Sequence, residues 1–476
     1  GTIHIRSAGA LGTGTVTLND TNTGANNTAL YLDSARVNYV VPVIVSNNGT
    51  GTSTLGTRAT VGGTGANNGF NGVTLSHDVT LDSNAADRTD YQNISGTGNI
   101  TITGAGRTVF NTANTFIGNL TISPSGTGGT FQNGVATASA TNYIPDAANV
   151  TVTDFTGAGQ AEFRLSSQAE TINGLNGNGT IDTNSINAVL TVGGAGGSGT
   201  FSGTIQNGGT NTVGLTKTGA GTQTLSGANT YTGATTISAG ILQFTTQTSL
   251  YNNTPASWTP ANIKVASGGT VAFGVGGTGE FTAGDITTLL FNLKTIASNG
   301  LQAGSAIGFN TTNASGGTFT IPDIVTNSTG TGSGAVGVTK LGTGTLVLNG
   351  ANTYTGTTNV LDGTLTVNAN SGGKIYNIST PGTLQLGYST GDSVYNYGAT
   401  VNGAGTAATT GLYLKGGLTF TLQSGLVLST APTTVRGYGT GLATLAGWDS
   451  NGTHLTVNAA ASGSVIDSNI NFKPGG

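Results

Sequence analysis

Residues Leu215 to Phe244 read LTKTGAGTQTLSGANTYTGATTISAGILQF, and Val338 to Val367 read VTKLGTGTLVLNGANTYTGTTNVLDGTLTV. Lys217 and Lys340 stand 123 residues apart, and this offset holds without a gap through all 30 positions, 16 of them identical. In the second copy, Leu346 and Leu348 share one face of an alternating run, with Thr345 and Val347 on the other. Gly350, Ala351 and Asn352 break that run. Thr357 to Leu361 forms another, Asp362-Gly363 is a turn signal, and Thr364 to Val367 puts Leu365 and Val367 on one face. Three short strands and three corners in about thirty residues predict one rung of a β-solenoid.

The physics of such a rung requires neighbours. Alone, it cannot bury its inward Leu and Val. Stacked at roughly 4.8 Å, rungs cover one another's apolar side chains and satisfy one another's backbone groups. Gly and Asn supply the positive φ of tight corners, and Thr suits the outward faces. The expected fold class is therefore all-β, a parallel β-helix (β-solenoid). At roughly 20–25 residues per coil, the chain would make a rod on the order of 100 Å long.

Composition agrees with this and excludes much else. The chain has 476 residues, 82 of them Gly, and only 7% are charged, against about 25% in an average chain. Hydrophobic residues still make up 35% and they alternate, and the net charge is −4, so neither low hydrophobicity nor self-repulsion argues for disorder. The absence of Cys excludes disulfides, thiolate metal sites and cysteine catalysis. With Gly1 at its start and no Met, the chain reads as processed or as a fragment of a longer repeat protein. No run approaches the ~18 apolar residues of a membrane helix, no signal peptide is visible, and the scattered Lys and Arg form no stripe for nucleic acid.

The remainder of the chain is read as one continuous solenoid over 1–476. A degenerate copy at Gly104 to Ser123 keeps Gly104, Gly106, Asn114 and Gly118, with Phe116 at the Tyr position and Ile102 where the Lys falls. A helix-containing excursion spans 248–300, with an amphipathic helix near 283–295. Thr282 is its expected N-cap with Asp285 three residues on, and Ile286, Leu289, Leu290 and Leu293 form its apolar face. That face is expected to cover an open flank of the solenoid. Residues 373–472 form a Tyr-rich C-terminal part.

Candidate chemistry is sparse. His4, His77 and His454 lie far apart, with no metal-spaced pair. The densest acidic group, Asp82, Asp87 and Asp90, lacks the spacing of calcium-binding repeats and reads as a surface loop. Gly219-Ala-Gly221 precedes no helix and no Gly-Lys-Ser/Thr, so it is no phosphate loop. The Asn-x-Ser/Thr matches at Asn48, Asn119 and Asn451 are expected by chance in this composition. Tyr388, Tyr395 and Tyr397 are candidate glycan contacts, with ordinary aromatic packing as the plainer reading. No catalytic residue, cofactor or metal is expected.

The thirty-residue unit resembles the autotransporter-associated β-strand repeat, also called the passenger-associated transport repeat. The resemblance rests on Lys217, Gly219, Gly221, Gly227, Asn229, Tyr231, Gly233, Thr235, Gly240 and Leu242. It recurs at Lys340, Gly342, Gly344, Asn352, Tyr354, Gly356 and onward to Leu365. It implies a right-handed parallel β-helix exported to the bacterial outer cell surface, where the repeat aids secretion of passenger domains. Gln223 departs from the second copy, standing where Leu346 points inward, and predicts an imperfect stack there. Lys217 and Lys340 are read as exposed corner residues.

Three functions compete. The first is an extracellular structural solenoid, part of a fibre, filament or adhesive stalk, which continues covalently or stacks end to end with its own copies. The second is a carbohydrate-binding adhesin that contacts surface polysaccharide through its Tyr-rich face. The third is a polysaccharide-degrading enzyme, which needs two carboxylates within ~5–10 Å on one face.

Overall fold

The computed structural model describes residues 1–367 except 8–9, 34–37, 40–41, 59–66, 84–87, 125–129, 134–141, 155–160, 184 and 298, with backbone alone at 38–39, 67–68, 132–133 and 296–297. Beyond 367 it describes the backbone of strands between Ile375 and Pro474. The chain forms two compact units, Gly1–Thr235 with Thr248–Asn252, and Thr236–Gln247 with Asn253–Gly476. Both are parallel β-solenoids. The strand ladders are parallel and join each strand to the equivalent one a coil later.

In the first unit, one sheet carries an inward column of Leu30, Leu55, Leu81, Ile102, Ile122 and Val152 in consecutive register. All six are buried. Between these positions runs an outward threonine ladder of Thr54, Thr80, Thr101, Thr121 and Thr151. The facing sheet stacks Phe131 on Phe163 with ring centroids 5.2 Å apart, and Phe110 meets Phe131 edge-on at 4.9 Å. Each inward aliphatic side chain contributes roughly 1.5–3 kcal/mol by leaving water, and only stacking removes it from water.

The second unit repeats the scheme. Leu346, Leu365, Leu384, Leu412, Val435 and Ile466 share one register position. Another column runs Phe244, Phe273, Phe309, Lys340 and Val360. Coil length varies widely, from 18 residues between Glu162 and Thr180 in the first unit to 36 between Thr270 and Ala306 in the second. Extra length leaves at corners, where it does not disturb the ladder.

The expected helix is Ala283–Lys294. Thr282 caps it in a full capping box: its hydroxyl accepts from Asp285 N–H, and the Asp285 carboxylate accepts from Thr282 N–H at 2.8 Å. Ile286, Leu289, Leu290 and Leu293 are buried, and Asn292 Nδ2 donates to Trp258 O at 2.9 Å. Trp258 is itself fully buried against Phe281. The helix is therefore part of the core of the second unit. No helix among the described residues is long and apolar enough to cross a membrane.

Candidate functional site

The repeat's defining residues assemble into corners. Gly219 and Gly342 take φ of +63° and +76° at the turn after the lysine, a region L side chains rarely adopt. At Gly221, Gly233, Gly344 and Gly356 the neighbouring rung comes so close that a Cβ would fall 2.2–2.4 Å from its backbone. Asn229 and Asn352 are buried and clamp one rung to the next. Asn229 Oδ1 accepts from Ile205 N–H at 2.9 Å while its Nδ2 donates to Ser249 O at 2.8 Å. Asn352 Oδ1 accepts from Val325 N–H at 2.8 Å and its Nδ2 donates to Gly350 O at 2.7 Å. In the degenerate copy Asn114 does the same, accepting from Ile94 N–H at 2.8 Å and donating to Tyr143 O at 3.0 Å.

The motif tyrosines point inward. Tyr231 and Tyr354 are 1% exposed. Each hydroxyl meets the threonine four residues on, Thr235 at 2.7 Å and Thr358 at 2.6 Å. Burial drives both phenols well above their ordinary pKa. In the degenerate copy Phe116 replaces Tyr and Leu120 replaces the partner Thr, so both members of the hydrogen bond become apolar together.

Lys217 and Lys340 correct the expectation of exposed corner lysines: both residues are 0% exposed. Lys340 occupies the inward column after Phe309, and its aliphatic stem fills that position. Its ammonium turns into the corner and donates to Leu341 O at 2.8 Å, Gly342 O at 2.5 Å and Asp362 O at 3.1 Å. Lys217 follows Val192 in its column and donates to Thr218 O and, at 2.8 Å, to Gly219 O. Burial pushes both amines down to about 8.

Gln223 corrects a second expectation. It is buried, and rather than spoiling the stack it completes it. Its Nε2 donates to Leu175 O at 2.8 Å and its Oε1 accepts from Leu175 N–H at 3.0 Å, two coils away. The intervening rung has Gly199 at this position, where a Cβ would fall 2.6 Å from Gln223 Oε1. A glycine on one rung thus leaves room for a glutamine that acts as a backbone amide for the rung beyond.

Other candidates disperse or fall outside view. Asp82 pairs with Arg58 at 2.8 Å on one sheet, and Asp90 pairs with Arg88 on another, while Asp87 lies outside the described residues. His4 pairs with Asp33 and stacks on Tyr31, and His77 faces Asp78 O. His454, Asn451 and Tyr388 lie outside the described residues. Tyr395 takes the register position that later rungs fill with Phe420, Leu445 and Phe472, and Tyr397 lies opposite Leu422. Among the described residues no group of three or more His, Asp or Glu side chains could hold a metal ion. Asn119 belongs to a corner ladder in which Asn99, Asn119 and Asn149 each donate a backbone N–H to the preceding side-chain oxygen, beginning at Asp78.

One cluster went unread in the sequence. Arg164 joins Glu162 on its own strand and reaches Asp182 Oδ1 on the next coil at 3.4 Å, and Thr130 Oγ1 donates to Glu162 at 2.8 Å. Burial and the hydrogen bond with Glu162 push Asp182 up to about 7. Burial opposes ionisation of Glu162, but hydrogen bonds from Asp182 and Thr130 with Arg164 beside it bring its pKa below the ordinary value. Of the two carboxyls, Asp182 is therefore the one that takes up a proton more readily. The available signal was charged residues at alternate positions, Glu162 and Arg164, with Asp182 one coil on.

Comparison with known proteins is consistent with the corner geometry. No curated protein and no solved structure matches the chain. Residues 215–244 and 338–367 match the Passenger-associated-transport-repeat family, the repeat of autotransporter passenger-type surface proteins. This β-solenoid therefore carries two passenger-associated transport repeats, at 215–244 and 338–367.

Proposed function

We propose that the chain is a structural segment of an extracellular fibre, filament or adhesive stalk on the bacterial outer surface. The observation that carries this reading is where the polar side chains of the repeat go. Lys340, Asn352, Tyr354 and Thr358 all spend their hydrogen bonds on neighbouring backbone or on each other. All four of these side chains are buried. In this reading the solenoid extends by covalent continuation or by end-to-end stacking, because an open rung presents unpaired ladder groups to the next. Immunogold labelling of the producing cell tests it. Gold particles along surface appendages are expected, and label confined to the cell interior would overturn it.

Two alternatives carry less. A glycan-binding adhesin would use Tyr388, Tyr395 and Tyr397 against surface polysaccharide, but Tyr395 shares its register with apolar residues on three rungs. A polysaccharide-degrading site would need free carboxyls, and Arg164 clasps both Glu162 and Asp182.

A further inference from the structure

The helix Ala283–Lys294 borders a cleft of about 580 Å³ facing the loop at 322–326. Its floor is apolar and buried, formed by Leu290, Leu301, Val325 and Val336. Two large side chains on its rim are exposed instead, Phe291 at 68% and Ile324 at 51%. At one end Asp323 accepts from Thr287 Oγ1. At the other, Lys294 Nζ lies 5.3 Å from the Phe291 ring. Thr287 and Lys294 are two turns apart, roughly 10 Å along the helix. The order along the cleft is thus carboxylate, aromatic knob, ammonium. Among the described residues neither Asp323 nor Lys294 has an ion-pair partner.

We propose that this face is the contact between two copies of the chain, related by a twofold axis beside Phe291. A twofold axis brings a patch onto itself reversed. Reversal lays Lys294 against the partner's Asp323, and Asp323 against the partner's Lys294. It also offers Phe291 of each copy to the other's apolar cleft, so knob and hole lie on one patch. Other occupants fit less well. A sugar would set hydroxyls against an aliphatic floor that cannot pair them. A peptide of one charge sign would leave either Lys294 or Asp323 facing its like. The contact is lateral, on the flank of the second unit, and does not depend on end-to-end stacking.

Sedimentation velocity of the full chain tests the contact. Reversible dimerisation is expected at concentrations on the order of 100 μM, as for a weak, transient contact. Phe291→Glu should abolish the dimer with the melting profile retained. Lys294→Asp and Asp323→Lys should each weaken it about tenfold or more, and combining the two should restore it because the swapped charges are again complementary. A wild-type chain that stays monomeric at that concentration overturns the proposal. So does a dimer indifferent to Phe291→Glu, or a double variant no better than either single one. Longer stacks that survive Phe291→Glu would belong to the end-to-end contact.

Discussion

A buried hydroxyl costs little while it is hydrogen-bonded and much once its partner is gone. Tyr354 and Thr358 hold each other at 2.6 Å inside the second repeat. Tyr354→Phe should cost about 1–2 kcal/mol, because Thr358 is left unpaired in an apolar setting. Adding Thr358→Val should recover most of the loss, as the Phe116 and Leu120 pairing in the degenerate copy already suggests. Urea unfolding midpoints of the two singles and the double decide this, and additive losses would contradict it. The residues of the corner were legible from the sequence, but the direction of the lysine was not. Charge alone places Lys on the surface. Here the stem of Lys340 fills a column slot between Phe309 and Val360, and three carbonyls receive its head.

At the scale of the strand and the helix, alternation was enough to place Thr345–Leu348 with Leu346 and Leu348 inward. Capping chemistry was enough to begin the helix after Thr282. What escaped is anything that joins positions one or two coils apart. The bond from Gln223 to Leu175 spans 48 residues, and coil length is too irregular to align such pairs by counting. The Glu162–Arg164–Asp182 cluster escaped for the same reason. It should leave a signature in pH. Burial and the Glu162 hydrogen bond push Asp182 up to about 7 in the folded chain, from its ordinary 3.8. The folded state then binds the extra proton between those values, so its stabilising contribution is complete below about 4 and lost as pH rises through about 7. Asp182→Asn keeps a neutral amide at all pH values. Relative to the wild type it should gain roughly 2–3 kcal/mol of stability between pH 5 and pH 8. Denaturation midpoints that run parallel across that range would contradict the upward shift of Asp182.

For the molecule as a whole, the sequence shows two clean rungs, and the structure shows that drifted rungs obey the same geometry. Leu30 to Val152 in the first unit and Leu346 to Ile466 in the second keep their columns through coils with no recognisable repeat. The repeat is visible only where the corner uses Lys, Asn and Tyr together; elsewhere apolar pairs or other polar ladders do the same work and leave no common motif. The Lys, Asn and Tyr side chains of the two repeats are consumed inside the fold, and the proposed function rests on stacking. Cryo-electron microscopy of the purified chain at high concentration measures this most directly. The account predicts filaments whose density repeats at roughly 4.8 Å along the axis, the separation of hydrogen-bonded strands. Monodisperse, closed particles that do not lengthen at any concentration, and that come from a chain without covalent continuation, would contradict it.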